Sequence, residues 1–407
     1  MYAGYGIAGL LFLTGAILVS FFLGIVIQNR PWVMWIGVST FALYLLLFKL
    51  QPVTGMELLA PMGLSYFLLQ IISYLVDIYR GKYPPERSLI RYALFISYLP
   101  HLFIGPIERY DTMMNALHQR RVVTWDGISA GLMRILWGAM KKLVIAARAG
   151  VIVSTIGAET GRYNGAYALV AMLLYSVQLY ADFSGGIDMV LGLSRILGIR
   201  LTENFDAPYF SQSFKEFWRR WHITLGSWLR EYIYIPLGGN RKGKVRKTLN
   251  LIVTFLVSGI WHGVQYLVWG LLNGLFVACG TRFQTRWKTL NRILTFLLVS
   301  LLWSFFIWPD ALTAAAMMGS VFTTFNYGAF IRNVGAMGLT GGDWLVLFLA
   351  TLSLWLYDWK TKSANAFLIK CAPAARAAII CLLILTVAVF GMYGIGFNAE
   401  SFIYSRF

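Results

Sequence analysis

Acidic side chains are scarce. Asp and Glu total 17 against 35 Lys and Arg, and charged residues of either sign make up only 13% of the 407 positions. A soluble domain needs a charged or polar shell, and a chain that is 58% hydrophobic has too little left to build one. Lipid removes that requirement, so the composition points to a polytopic membrane protein. Cysteine is rare as well: Cys279, Cys371 and Cys381 sit in apolar or near-apolar surroundings, and none belongs to a C-x-x-C pair. Neither a disulfide framework nor a zinc site is indicated. Histidine numbers four, which confines a neutral imidazole base to a handful of positions. The chain also lacks long polar linkers, low-complexity tracts and obvious repeats, so 1–407 reads as one integral domain.

What is present is apolar. Near-continuous runs cover Gly6–Ile27, Trp32–Phe48, Pro61–Val76, Ile293–Trp308, Trp344–Leu356 and Ala377–Phe397. With shorter and interrupted runs they predict roughly ten spans of ~20 residues each. The first run resembles a span more than a cleaved signal, because no Lys or Arg precedes it and no small-residue cleavage site follows. Fifteen tryptophans suit a protein anchored at two lipid–water boundaries. The net charge of +18 would suggest nucleic acid in a soluble protein. Here the basic residues lie mostly in short loops between spans, so the positive-inside rule explains them and no nucleic-acid partner is expected. The most basic loop, Asn240–Lys247, is expected to be cytoplasmic.

Two segments depart from plain spans. In Ile128–Ala158, Arg134, Lys141 and Arg148 recur every seven residues and form one stripe on a helix. The stripe predicts an interfacial helix with its charges among headgroups, or else a basic wall facing an internal funnel. Glu203–Leu237 is too polar to cross lipid, yet rich in aromatic rings. Such backbone is tolerated near a membrane only under protein cover or lining a cavity. Short helices at one interface are expected there, ending near Pro236.

His262 is the first candidate for chemistry. It lies in the apolar run Leu251–Trp269, where an ionisable group is costly and usually faces the protein interior or a wet cavity. On a helix Ser258 and Gln265 share its face and could fix its tautomer. His222 lies in the polar aromatic segment, with the basic turn between the two, so both imidazoles could face one cavity. His101 and His118 read as a helix-end residue and a solvated one. No carboxylate lies within a turn of His262, so no Ser-His-Asp triad is legible, and two histidines without a third ligand define no metal site. Gln178 and Asp182 are spaced i, i+4 ahead of Gly185-Gly186, a pair expected to break the helix. Asp182 is expected to pair with a basic helix or to orient a histidine. Arg241 and Lys242, with Lys244, Arg246 and Lys247, could attract the phosphates of an acyl-CoA, although topology alone explains them equally well.

Several ordered motifs resemble the membrane-bound O-acyltransferase family. They are Phe217-Trp-Arg-Arg-Trp-His222-Ile-Thr-Leu-Gly-Ser-Trp-Leu-Arg-Glu-Tyr, Ile235-Pro-Leu-Gly-Gly-Asn-Arg241 and Ser258-Gly-Ile-Trp-His262-Gly. Pro61-Met-Gly-Leu-Ser-Tyr, Gly105-Pro-Ile-Glu-Arg109, Asp182-Phe-Ser-Gly-Gly-Ile-Asp188, Glu203-Asn-Phe-Asp-Ala-Pro208 and the terminal Phe402-Ile-Tyr-Ser-Arg-Phe407 add to the set. The resemblance covers 61–407; the spans in 1–60 match no motif of the family. The Pro-Leu-Gly-Gly-Asn-Arg turn resembles the alginate O-acetyltransferase branch, whereas the branch that moves D-alanine to teichoic acid shares the Trp-His and Gly-Pro-Ile elements but not this turn.

The resemblance implies an all-α polytopic protein of the cell membrane, with re-entrant or interfacial helices around a central funnel. It implies catalytic roles for His262 and His222. Trp218, Trp221, Trp261, Ser258, Gln265, Asp182, Arg241 and Lys242 are the candidates for holding donor and acceptor. The implied donor is a thioester, acetyl-CoA or an acyl carrier protein, used as substrate with no bound cofactor or metal. The implied acceptor is a hydroxyl of an extracytoplasmic polysaccharide or of a secreted partner protein. D-alanyl transfer to teichoic acid, and a glycan or lipid transporter, are the alternative readings.

Overall fold

The computed structural model describes residues 6–28, 30–118, 123–280, 284–360 and 372–393. The terminal motif Phe402–Phe407 and Cys371 lie outside them. Among the described residues the secondary structure is helical, apart from one isolated antiparallel bridge between Phe205 and Trp221. Five helices are long and apolar enough to cross a membrane: Ile7–Val26, Pro31–Thr54, Ala166–Ile196, Lys288–Phe306 and Pro373–Phe390. Leu64–Tyr79, Val264–Cys279 and Ala311–Thr323 are apolar but shorter. Length and composition therefore mark five spans among the described residues, against the roughly ten expected. Part of the difference is that several apolar runs form helices of only 10–17 residues. The chain is an integral membrane protein.

Buried apolar side chains form two clusters. One surrounds the Ala166–Ile196 helix and takes in Phe217, Trp221 and Trp303. The other joins the N-terminal helices to Leu225, Trp228 and Trp261. The chain passes from one cluster to the other between Trp221 and Leu225, so His222 sits on the seam.

Gly185-Gly186 does not break its helix, which runs unbroken from Ala166 to Ile196. The pair has a packing role instead. A Cβ on Gly185 would lie 2.7 Å from the Gly138 carbonyl oxygen, and one on Gly138 would lie 2.4 Å from that of Gly185. Gly131 and Gly192 face each other in the same way, each with a Cβ position 2.6 Å from the other's carbonyl oxygen. In lipid, where apolar side chains gain little by leaving the solvent, such small-residue contacts let helix backbones pack closely.

That close approach brings the basic stripe inside, so the expected interfacial helix is corrected. Arg134, Lys141 and Arg148 are all buried. Arg134 meets Asp188 at 2.8 Å and grips Glu203 through two hydrogen bonds of 2.7 and 2.6 Å. Lys141 donates to Asp188 at 2.5 Å and to Ser184 at 2.8 Å. Arg148 pairs with Asp343 at 3.2 Å and donates to the Val144 carbonyl. Headgroups are not needed, because carboxylates on neighbouring elements neutralise the cations within the bundle.

Gly185→Leu is expected to force the Trp125–Met140 and Ala166–Ile196 helices apart, with an overpacking cost of ~1–3 kcal/mol. Thermal unfolding in detergent would show it as a lowered midpoint; an unchanged midpoint would mean the two backbones do not touch at Gly138.

Candidate active site

The polar segment after the Ala166–Ile196 helix folds as a strap and a hairpin of short helices. Ser213 caps Phe214–Arg220 by accepting from the Glu216 N–H at 3.1 Å. His222 then takes a left-handed backbone, φ 46°, and caps Ile223–Leu229. A non-glycine residue in that region costs about 1–3 kcal/mol and needs surroundings that enforce it. The strap Asn204–Asp206 supplies them: Ile223 N–H donates to the Asn204 carbonyl and Asp206 N–H to the Arg220 carbonyl, each at 3.0 Å. Glu203, next in line, is the residue gripped by Arg134. The chain then turns through Gly238 and Gly239, both at positive φ, as the Pro-Leu-Gly-Gly-Asn sequence requires. It re-enters as the helix Gly243–His262.

This return brings the two histidines to one cavity of about 840 Å³. His222, His262, Ser258, Trp218 and Trp221 line it, and Lys215, Arg219, Arg230, Arg241 and Lys247 contribute cations. No carboxylate among the described residues lines it. Aromatic rings surround the imidazoles. His262 lies 4.7 Å from Trp261, 5.5 Å from Trp269 and 5.8 Å from Phe306 between ring centroids. His222 lies 4.8 Å from Phe183 and 6.1 Å from Trp261. Burial pushes the His222 pKa down to about 3, so the ring is neutral at pH 7. Its Nδ1 lies 3.4 Å from Asn204 Oδ1, and its buried Nε2 has no hydrogen-bond partner among the described residues.

The remaining sequence candidates fall elsewhere. Gln265 does not share a helical face with His262: the helix ends at His262, Gly263 adopts φ 147°, and Gln265 sits exposed in a short 3-10 turn. Lys242 and Asp182 do not line the cavity. Asp182 is buried and ion-paired to Lys142. Trp218 lines the cavity, but its N–H is committed to Asn273 Oδ1 at 3.0 Å. Trp261 does not line the cavity either, but it packs against both imidazoles, and its buried N–H has no hydrogen-bond partner among the described residues.

Two residues went unremarked in the sequence. Asn204 belongs to a quoted motif, but its partner lies 18 positions away. Lys49 follows an apolar run and is buried, with Nζ 5.7 Å from the Trp261 ring centroid. A second cavity of about 310 Å³ lies across the Ala166–Ile196 helix, lined by Arg134, Lys141, Asp188 and Asp358. No group of three or more His, Cys, Asp or Glu among the described residues is arranged to hold a metal ion.

The model of the MBOAT, membrane-bound O-acyltransferase family, matches residues 17–324. The chain is 36% identical over 337 residues to the probable alginate O-acetylase AlgI of Pseudomonas putida, covering 81% of this chain and 69% of that relative. It is 34% identical over 287 residues to the peptidoglycan O-acetyltransferase of Helicobacter pylori, covering 62% and 54% respectively. Identity to the teichoic acid D-alanyltransferase of Streptococcus thermophilus is 27% over 293 residues, 65% of this chain and 68% of that relative.

Asp188→Ala should leave Lys141 buried with only a serine hydroxyl and remove one of two anions from Arg134. Breaking a buried pair from one side costs about 3–5 kcal/mol. A large fall in the unfolding midpoint is expected, with Asp188→Asn intermediate; equal midpoints for wild type and Asp188→Ala would refute the ion-pair role.

Proposed function

The chain belongs to the membrane-bound O-acyltransferase family, and from that premise we propose that it moves an acetyl group from a thioester donor to a hydroxyl of a cell-envelope polysaccharide or of a secreted partner protein. One observation carries the reading: a single cavity, with no carboxylate among the described residues that line it, combines cations with two imidazoles. Cations without competing anions suit the phosphates of coenzyme A or of a carrier-protein phosphopantetheine. The basic turn around Arg241 would then face the cytoplasm, where both donors are made.

A thioester is already activated. The protein has to deprotonate the acceptor hydroxyl and stabilise the oxyanion. His262 is the general base. The hydroxyl proton passes to the imidazole, the oxygen bonds to the thioester carbon, and the C–S bond breaks. The buried Trp261 N–H, beside both imidazoles and without a hydrogen-bond partner among the described residues, is a candidate donor for the oxyanion, whereas that of Trp218 is already used. The relatives named for O-acetyl transfer share more identity with this chain than the D-alanyltransferase, and this favours acetyl over D-alanyl.

Membranes bearing the protein should transfer label from acetyl-CoA, or from an acetylated carrier protein, to polymer or partner. His262→Ala at equal expression should lose at least ~100-fold. Unchanged labelling in that variant would remove His262 from the mechanism. Label taken only from a D-alanyl carrier would replace acetyl, and unmodified glycan crossing the membrane would make the protein a transporter. Arg219→Ala with Arg241→Ala should raise KM for acetyl-CoA with little change in kcat, and the difference should shrink in high salt.

A further inference from the structure

We propose that Asn204 is a positioning residue that fixes His222 as its Nδ1–H tautomer, so that the Nε2 lone pair faces the donor cavity and returns the reaction's proton to the leaving sulfur. The proposal rests on the thioester-transfer reading above.

The Thr224 backbone N–H lies 3.0 Å from Asn204 Oδ1. That group can only donate, so the amide atom facing it must be the oxygen. The Thr224 hydroxyl, 2.8 Å from the same oxygen, accepts from the Ile107 N–H at 3.0 Å and gives its own hydrogen to Asn204. His222 Nδ1 therefore faces an acceptor at 3.4 Å. Two lone pairs would repel there, so Nδ1 carries the hydrogen and Nε2 is left bare. The arrangement is held rigidly. Asn204 is fully buried, its carbonyl accepts from Ile223, and Arg134 grips the adjacent Glu203.

A neutral imidazole in this tautomer cannot donate to an oxyanion through Nε2. It can only accept. His262 and His222 line the same cavity and pack against the same indole. The proton taken from the acceptor hydroxyl by His262 passes to His222 Nε2. As the carbon–sulfur bond breaks, the electron pair goes to sulfur, and His222 gives the proton to the thiolate. Both imidazoles end neutral and the thiol leaves. The departing anion offsets the burial that otherwise disfavours a charged His222.

Two replacements of His222 separate the roles of its two nitrogens. His222→Asn places an amide near the Nδ1 position, and His222→Gln places one near Nε2. Both are expected to lose at least ~100-fold in transfer from acetyl-CoA while inserting normally. The deficit should shrink at least about tenfold with an aryl thioester, whose thiolate leaves without protonation. Asn204→Asp keeps every acceptor contact but adds a negative charge, which stabilises the imidazolium. The acid limb of its pH–rate profile should therefore move to higher pH. An active His222→Asn would reduce His222 to a structural donor, and an active His222→Gln would make it the oxyanion donor. An equal deficit for both thioesters, or an unmoved Asn204→Asp profile, would equally overturn the proposal. Failure of the underlying reading is distinct, since wild type itself would then transfer no label.

Discussion

The carboxylate of Asp188, shared between the Arg134 guanidinium and the Lys141 ammonium, is the interaction on which the site's geometry rests. Three charges in a lipid-embedded bundle would each be costly alone. Together they are tolerable because the glycine faces of the Trp125–Met140 and Ala166–Ile196 helices bring them within hydrogen-bond distance. Arg134 then has a second hand free for Glu203. That grip sets the strap, the strap sets Asn204, and Asn204 sets the ring of His222. An electrostatic requirement inside the membrane thus becomes an orientation at the candidate site, through a chain of short contacts.

The position of His222 on the seam between two apolar clusters has a related cause. A residue wholly inside either cluster would be closed off from a large ligand. At the seam, packing on one side fixes the ring while the other side opens on the cavity. The strained backbone of His222 fits the same picture, since a left-handed histidine persists only where neighbours on both sides hold it.

Much of this was legible in the sequence, and what was not has identifiable physics. The two histidines, the aromatic segment and the turn at Pro236 could be located because polarity inside an apolar chain is expensive and therefore conspicuous. The Gly185-Gly186 pair misled because glycine serves two ends, helix breaking and close packing, and only the facing Gly138 decides between them. The basic stripe misled for a similar reason. A seven-residue spacing says that charges share a face, but not whether that face meets headgroups or the buried Asp188. Gln265 was lost to a single residue, Gly263, whose backbone ends the helix one position after His262. Asn204 and Lys49 could not be assigned at all, since their significance lies in contacts across 18 and more than 200 positions.

The order of side chains along the cavity bears on catalysis as well as binding. Cations such as Arg241 and Lys247 lie on exposed stretches beside the basic turn, where arginine and lysine cost little. The imidazoles are buried among aromatic rings that offer few competing hydrogen bonds. On the proposed reading, a thioester drawn in by its phosphates would pass from a site that recognises charge to one that excludes water. On that reading exclusion matters because water is itself a hydroxyl nucleophile, and water admitted beside His262 would hydrolyse the donor. Neutral imidazoles suit such a place better than carboxylates would. They can take up and release a proton without leaving a permanent buried charge, which suits a cavity lined, among the described residues, by imidazoles and cations but by no carboxylate.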